Sequence, residues 1–328
     1  MSELLCKKFD FAIAWNWEYD KDFVDRIEYL AKENGISTYL IHPENVSEVF
    51  SLVKENKIYF RVFLDRASDV DEQYEPIAKL SMQSEMHKDP HQRISVINPH
   101  DLTHRAADKA TMHLEFLTND IEVPYTIIIS PFRHEPAPKL TDDQLGVIGK
   151  PFIIKPANTT GGGIGVVLDA QSLNDVLEAR KHYIDDKYLL QELIKPLKYG
   201  ERKAWFRVFY AFGKVIPCWW DDVTHIYEPV TPEDERKYDL YELRAIAKKI
   251  FRVCRLHFFS TEIATTTNHR FVVVDYVNEI CDMRFKSATP DGVPNESVDK
   301  IIRAMIDFVK NEKDRMLPVS RGRDWIFP

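Results

Sequence analysis

Along the first hundred residues, apolar stretches of strand length alternate with stretches whose apolar residues return at helical spacing. Residues 9–15 form a nearly unbroken apolar run. Phe23, Ile27, Leu30 and Ala31 then recur on one helical face before Gly35, a residue type suited to a C-cap. Residues 37–41 and 58–64 read as two further strands with a helix between them. This order predicts βαβ units, so the chain is expected to open with a parallel, Rossmann-like lobe. The glycine fingerprint of a dinucleotide fold is missing, because Trp15-Asn16-Trp17-Glu18 stands where its glycines would be. A nucleotide is therefore expected elsewhere in the chain.

After Asn98-Pro99 the spacing predicts a helix with Ala106, Ala110, His113, Leu114 and Leu117 on one face, followed by a strand over 123–129. A loop rich in proline and charge, 131–143, precedes a strand at 151–155. The pattern then reads helix (172–182), strand (188–192) and two long strands (204–211 and 214–220). An amphipathic helix carrying Leu243, Ile246, Ala247 and Ile250 leads into strands at 258–264 and 270–277. A last helix from Ser297 carries Val298, Ile301, Ile302, Met305 and Val309 on one stripe. No internal repeat or low-complexity segment interrupts this order.

With 328 residues, the chain is long enough for two or three lobes around sizeable cores. Its 44 basic and 52 acidic residues give a net charge of −8, which disfavours nucleic acid as a partner. No apolar run approaches membrane-spanning length and the N-terminal residues lack a signal-like stretch, so a cytoplasmic protein with no membrane partner is expected. Cys6, Cys218, Cys254 and Cys281 are widely spaced with no C-x-x-C, which points to reduced structural thiols.

Only 11 glycines occur, yet Gly161, Gly162, Gly163 and Gly165 fall within five positions. They lie between the strand ending in Lys155-Pro156 and the apolar residues 166–168. Such a loop lets backbone N–H groups approach an anion closely, and a lysine at its base can neutralise phosphate charge. A P-loop is excluded, because no Gly-Lys-Ser/Thr follows and the next element reads as a strand. A flexible hairpin with no ligand is the competing interpretation.

The strand ending in Ile-Lys-Pro, the glycine-rich loop and the returning strand resemble the ATP-lid hairpin of the ATP-grasp superfamily. Three further pieces follow the family's order. Asp108-Lys109, upstream of Val123-Pro124, is similar to the segment whose lysine reaches the nucleotide phosphates. Residues 188–194, with Gln191, Glu192 and Ile194, look like the hinge strand that reads the adenine edge. Residues 258–263 and 271–279 resemble the paired strands that supply magnesium ligands. The likeness covers about 100–310 and implies a Rossmann-like pre-ATP-grasp lobe (1–105), an ATP-grasp subdomain with the lid loop (106–190), a second subdomain with the metal site (191–315) and a C-terminal tail (316–328). The fold class expected is thus α/β with α+β lobes.

The resemblance assigns Lys109, Lys155, Gly161, Gly162, Gly163, Gln191, Glu192 and Ile194 to ATP, and Glu201 to its ribose. It assigns Glu262, Asp275 and Asn278 to Mg²⁺, with Mn²⁺ as an alternative ion. The acids also have a reason of their own, since Mg²⁺ is usually held by one or two carboxylates plus phosphates, and adjacent strands would bring Glu262 and Asp275 to one face. Solvated strand-end acids are the alternative. Arg207 matches a strand arginine of the family and would act in catalysis with Lys155, stabilising the transferring phosphoryl group. Arg284 and Lys286 stand where the family's substrate loop begins, although a solvated basic turn fits them as well. Trp219-Trp220 reads as core.

This sequence departs from the family in two places. The usual Glu-x-Asn ending is here Asp275-Tyr-Val-Asn278, one residue longer and with the shorter acid, so that either a bulge restores the geometry or Glu279 replaces one ligand. Ser260 also stands where ligases often carry an arginine.

A ligase joining a carboxylate to an amine through an acyl phosphate, with release of ADP and phosphate, is what the resemblance most often implies. Its partners would be small-molecule substrates, and a homodimer is compatible with the sequence. The alternative is a kinase that phosphorylates a hydroxyl, which Asp275 in place of glutamate suits. A nucleotide-binding scaffold is a third class, disfavoured because both lysines, the glycine loop and the acids are present.

Overall fold

In the computed structural model, which describes residues 6–85, 93–158 and 163–315, the first apolar run becomes strand β1 (Lys7–Trp15). It is followed by α1 (Lys21–Glu33), β2 (Thr38–Ile41), α2 (Val46–Lys54), β3 (Ile58–Arg66), α3 (Glu75–Glu85) and β4 (Ser95–Ile97). The four strands form one parallel sheet in the order β2-β1-β3-β4. Their apolar side chains are buried with those of the helices, Ala12, Phe60 and Phe63 packing with Val49 and Ile77. Helix α1 ends at Gly35, whose φ of +66° closes the helix: its N–H bonds the Lys32 carbonyl, and that of Ile36 bonds the Ala31 carbonyl. A buried fork joins Arg66 to Asp20 at 2.7 and 2.8 Å.

This sheet belongs to a unit made of residues up to His100 and from Val298 onward, while Asp101–Ser297 form a second unit. Here the helix expected after Pro99 is two helices, α4 (His100–Ala107) and α5 (Lys109–Thr118). Asp108 has extended backbone angles between them, and its Oδ1 accepts from the N–H groups of Ala110 and Thr111 at 2.9 and 3.2 Å. An aspartate at this position caps α5 and restarts the helical phase. The buried residues of α5 are consequently Ala110, Met112, His113 and Phe116, whereas Leu114 and Leu117, expected on the same stripe, are exposed.

The chain continues through β5 (Thr126–Ile129), α6 (Asp142–Ile148), β6 (Phe152–Pro156), β7 (Val167–Ala170), α7 (Leu173–Ala179) and β8 (Tyr188–Glu192). Helix α7 is shorter than the 172–182 expected. Ser172 starts it with a capping box, and it ends at Ala179. A short hairpin, β9 (Lys198–Tyr199) and β10 (Arg202–Lys203), precedes β11 (Trp205–Ala211), β12 (Lys214–Trp220) and β13 (Tyr227–Pro229). Helices α8 (Pro232–Tyr238) and α9 (Glu242–Cys254) lead into β14 (Phe258–Thr265) and β15 (Phe271–Asn278). Helix α10 (Asn295–Arg315) follows, and from Val298 it packs in the first unit, where Asp299 receives a fork from Arg26 at 2.9 and 3.0 Å.

Two antiparallel sheets result in the second unit: β5-β8-β6-β7 and β13-β12-β11-β14-β15. On the larger sheet, Phe206, Val208 and Tyr210 face Leu243, Ile246 and Ile250 of α9 in one core. Strand alternation sends the residues between them, including Arg207, to the opposite face. The cysteines form no disulfide, and Cys218, Cys254 and Cys281 are buried. Among the described residues, no helix is long and apolar enough to cross a membrane.

Candidate active site

Cross-strand pairing on the larger sheet sets Cys218, Arg207, Glu262 and Asp275 in one row across β12, β11, β14 and β15. Arg207 Nη2 lies 2.6 Å from Glu262 Oε1. The other carboxylate oxygen, Oε2, accepts from the indole Nε1 of Trp205 at 3.1 Å. Trp205 and Arg207 are two apart on β11, so both reach the same face. The guanidinium also lies 4.7 Å from the centroid of Trp220. Trp219 is buried as expected, but Trp220 is only partly buried and stacks on His225 at 5.3 Å.

The extra residue in β15 is absorbed by irregular pairing. Ser260 pairs with Asn278 and Glu262 with Asp275, so two steps along β14 match three along β15. This bulge keeps Asp275 and Asn278 on the face that Ser260 and Glu262 share, although they are three positions apart. Glu279, just past the strand end, is partly buried.

Two lysines from other elements bring positive charge to this row. Lys155, on β6, is buried and its Nζ donates to the Val274 carbonyl at 3.0 Å. Lys109 is the first residue of α5, and its backbone N–H donates to the Ala157 carbonyl just past β6 at 3.1 Å. Burial raises the Asp275 pKa, but the charges of Lys109, Lys155 and Arg207 outweigh it and leave the group below its usual value. Burial and the neighbouring Asp275 charge hold Glu262 above the ordinary carboxylate range, against the opposing pull of Arg207. Burial depresses Lys155, with Asp275 opposing and Lys109 adding to the effect.

The glycine segment connects β6 to β7, which pair antiparallel, so it is a hairpin loop. Gly163 has a φ of +77° and Gly165 one of +79°, and a Cβ on Gly165 would meet the Tyr183 ring at 2.8 Å. Gly161 and Gly162 lie outside the described residues. On β8, Gln191 is buried and Glu192 partly so. The Glu192 carboxylate accepts from the Tyr125 N–H at 2.9 Å. Ile194 packs with Trp205 against Ala264, Val272 and Val274. Glu201 is exposed in the turn between β9 and β10. Arg284 is held by Asp282 and Asp291 at 2.7 and 2.9 Å, and Lys286 donates to the Tyr227 carbonyl at 2.5 Å. Both basic side chains therefore hold the loop in shape here.

Sequence patterns did not single out Trp205 or Tyr276. Tyr276 is fully buried, and its hydroxyl lies 2.8 Å from His113 Nδ1 and 2.6 Å from Gln191 Nε2. Its position in the inserted step of β15 was the available signal.

The donor chemistry suits Mg²⁺. No group of three or more His, Cys, Asp and Glu side chains that could hold a metal occurs among the described residues. Glu262 and Asp275, with Asn278 on the same face, form the smaller oxygen set appropriate to an ion that takes its remaining ligands from water and phosphate.

The second unit thus carries Arg207, Glu262 and Asp275 in one row of its larger sheet, with the charges of Lys109 and Lys155 brought to that row from other elements. No protein-family model and no curated protein matches the sequence. Solved structures match over most of the chain. The RimK domain protein ATP-grasp from Sphaerobacter thermophilus is 17% identical, with a TM-score of 0.57 and coverage of 91% of this chain and 98% of that one. The ATP-grasp ligase PsnB, in complex with minimal precursor, Mg and ADP, is 12% identical, with a TM-score of 0.62 and coverages of 93% and 99%. D-alanine–D-alanine ligase from Bacillus anthracis, in complex with ATP, is 15% identical, with a TM-score of 0.58 and coverages of 94% and 100%. The chain has the ATP-grasp fold.

Proposed function

We propose that this protein is an ATP- and Mg²⁺-dependent ligase that joins a carboxylate to an amine through an acyl phosphate, releasing ADP and phosphate. The observation that carries this reading is the meeting of Lys109, Lys155 and Arg207 with Asp275, beside Glu262, in the second unit. Several proteins of similar fold are ATP-grasp ligases, among them two solved with ATP or with Mg and ADP. In this reading 1–105 is the Rossmann-like pre-ATP-grasp lobe, 106–190 and 191–315 are the two ATP-grasp subdomains, and 316–328 is a C-terminal tail.

Lys109 and Lys155 neutralise the nucleotide phosphates, and the backbone of Gly161, Gly162 and Gly163 covers them. Gln191, Glu192 and Ile194 line the base, and Glu201 meets the ribose. Glu262, Asp275 and Asn278 would hold Mg²⁺, which supplies charge neutralisation at the phosphate oxygens. Arg207 is already desolvated and aimed along the acidic row, so it stabilises the charge of the transferring phosphoryl group with little reorganisation. Arg284 and Lys286 meet the acceptor carboxylate by exchanging their present partners. No side-chain nucleophile is required.

Hydroxylamine trapping tests the proposal. Enzyme, ATP, Mg²⁺ and a panel of carboxylic acids should give ADP and a hydroxamate with the correct acid. A stable phosphate ester with no release of inorganic phosphate would instead establish a kinase.

A further inference from the structure

We propose that Asp108 and Lys187 are positioning residues for the phosphate lysines: their ion pair closes a ring of hydrogen bonds that ties the start of α5, which carries Lys109, to the end of β6, which carries Lys155. This rests on the nucleotide site proposed above and goes beyond it in saying what holds one of its cations in place relative to the other.

Two cations on different elements can grip one run of phosphates only if those elements are held in fixed relation. The charges of Lys109 and Lys155 both act on Asp275, so they converge on one place. The link between their elements is Ala157, two positions past Lys155 and fully buried, whose carbonyl accepts from the Lys109 N–H at 3.1 Å. The Ala157 N–H donates to the Lys187 carbonyl at 2.9 Å. The Lys187 side chain then turns back to α5, and its Nζ donates to Asp108 Oδ2 at 2.6 Å. Because Asp108 immediately precedes Lys109, the ring is closed.

The two Asp108 oxygens have separate tasks. Oδ1 caps α5 through the N–H groups of Ala110 and Thr111, and Oδ2 takes the ion pair. A cap needs only one side-chain oxygen, which asparagine supplies as well. The second oxygen and the lysine hold the helix start against residue 187 and, through Ala157, against β6. One position farther on, the N–H and Nδ2 of Asn158 donate to the Asp186 carboxylate at 2.9 and 2.8 Å, so residues 186 and 187 grip both 157 and 158. The Lys187 and Asp108 side chains are 38% and 20% exposed, and a pair so open to water contributes little to global stability. Its consequence is local, at Lys109.

The test uses the full chain with Mg²⁺, titrating ADP calorimetrically beside thermal melts. Asp108→Asn keeps the cap but loses the ion pair, so the melting temperature should stay within a few degrees while ADP binding weakens about threefold. Charge alone predicts the opposite, because this variant removes an acid from beside the phosphates. Lys187→Met should lose about the same threefold, and Lys187→Arg, which keeps the pair, less than about 1.5-fold. With Lys109→Ala as background, Asp108→Asn should weaken ADP binding no further, because the pair acts through that lysine. Tighter or unchanged ADP binding in Asp108→Asn, or an undiminished loss in the absence of the Lys109 side chain, overturns the inference. If Asp108→Asn does not melt cooperatively, Lys187→Met against Lys187→Arg decides, and equal losses in the two overturn it. A wild type that binds no ADP would instead defeat the nucleotide-site reading itself.

Discussion

Arg207 and Glu262 face each other directly across β11 and β14, 2.6 Å apart, with only 11% of each side chain exposed. Removing either charge strands the other in a buried place. Arg207→Ala should therefore lower stability by about 3–5 kcal/mol, read as a shift in the urea midpoint. It should also cut turnover by roughly 10²–10³-fold. Arg207→Lys keeps the charge but loses the planar fork stacked on Trp220, so it should recover more stability than activity. Unaltered denaturation of the alanine variant would contradict the buried pair.

The two lysines should separate in their effects. Lys109 is half-buried at a helix start, so Lys109→Ala should leave the melting temperature within a few degrees while weakening ADP binding. Lys155 is buried at a desolvation cost, and Lys155→Met keeps its volume without its charge. That variant should be no less stable than wild type without nucleotide. Its ADP affinity should still fall by about tenfold or more. Calorimetric titration beside thermal melts measures both, and unchanged affinity in the two variants would remove the phosphate role.

Asp275→Asn preserves shape and removes an acid that three cations face. Turnover should drop at least about 100-fold, with ADP affinity changed far less, because metal charge matters most as the phosphoryl group transfers. Asn278→Ala and Glu262→Gln should act in the same direction. Near-normal turnover of Asp275→Asn over a Mg²⁺ titration would move the metal site toward Glu279.

Acid should weaken the fold through His113. Its pKa falls from 6.5 to about 4 in the folded protein, so the unfolded chain takes up the proton first. Stability from this group is fully present above pH 6.5 and is lost as pH falls toward 4, by roughly 3 kcal/mol. His113→Gln removes that titration, so its stability should vary less with pH in this window. Parallel pH–stability curves for the two proteins would refute the assignment.

Element order was legible in the sequence because each element leaves a local signature. The 9–15 run became β1, the spacing after it became α1, and Gly35 ended that helix with positive φ. The glycine run marked a break between two strands, where Gly163 and Gly165 take the positive φ that glycine adopts cheaply, and the lysine at its base was visible beside it. Local pattern misled where one capping residue reset the phase: Asp108 split the helix and left Leu114 and Leu117 exposed.

By itself, then, the sequence determined the periodicities, the caps and turns, and the acids and bases available to a site, because those depend on neighbours within a few positions. Which of them meet was decided only in three dimensions. The Arg207–Glu262–Asp275 row depends on strand register, and a one-residue slip would turn half of it to the other face. The bulge that keeps Asp275 and Asn278 together depends on the partner strand β14. His113 and Tyr276, 163 positions apart, meet because α5 packs on β15. No local spacing encodes such a contact, because register and packing are fixed by the sum of many distant interactions rather than by any short stretch of chain.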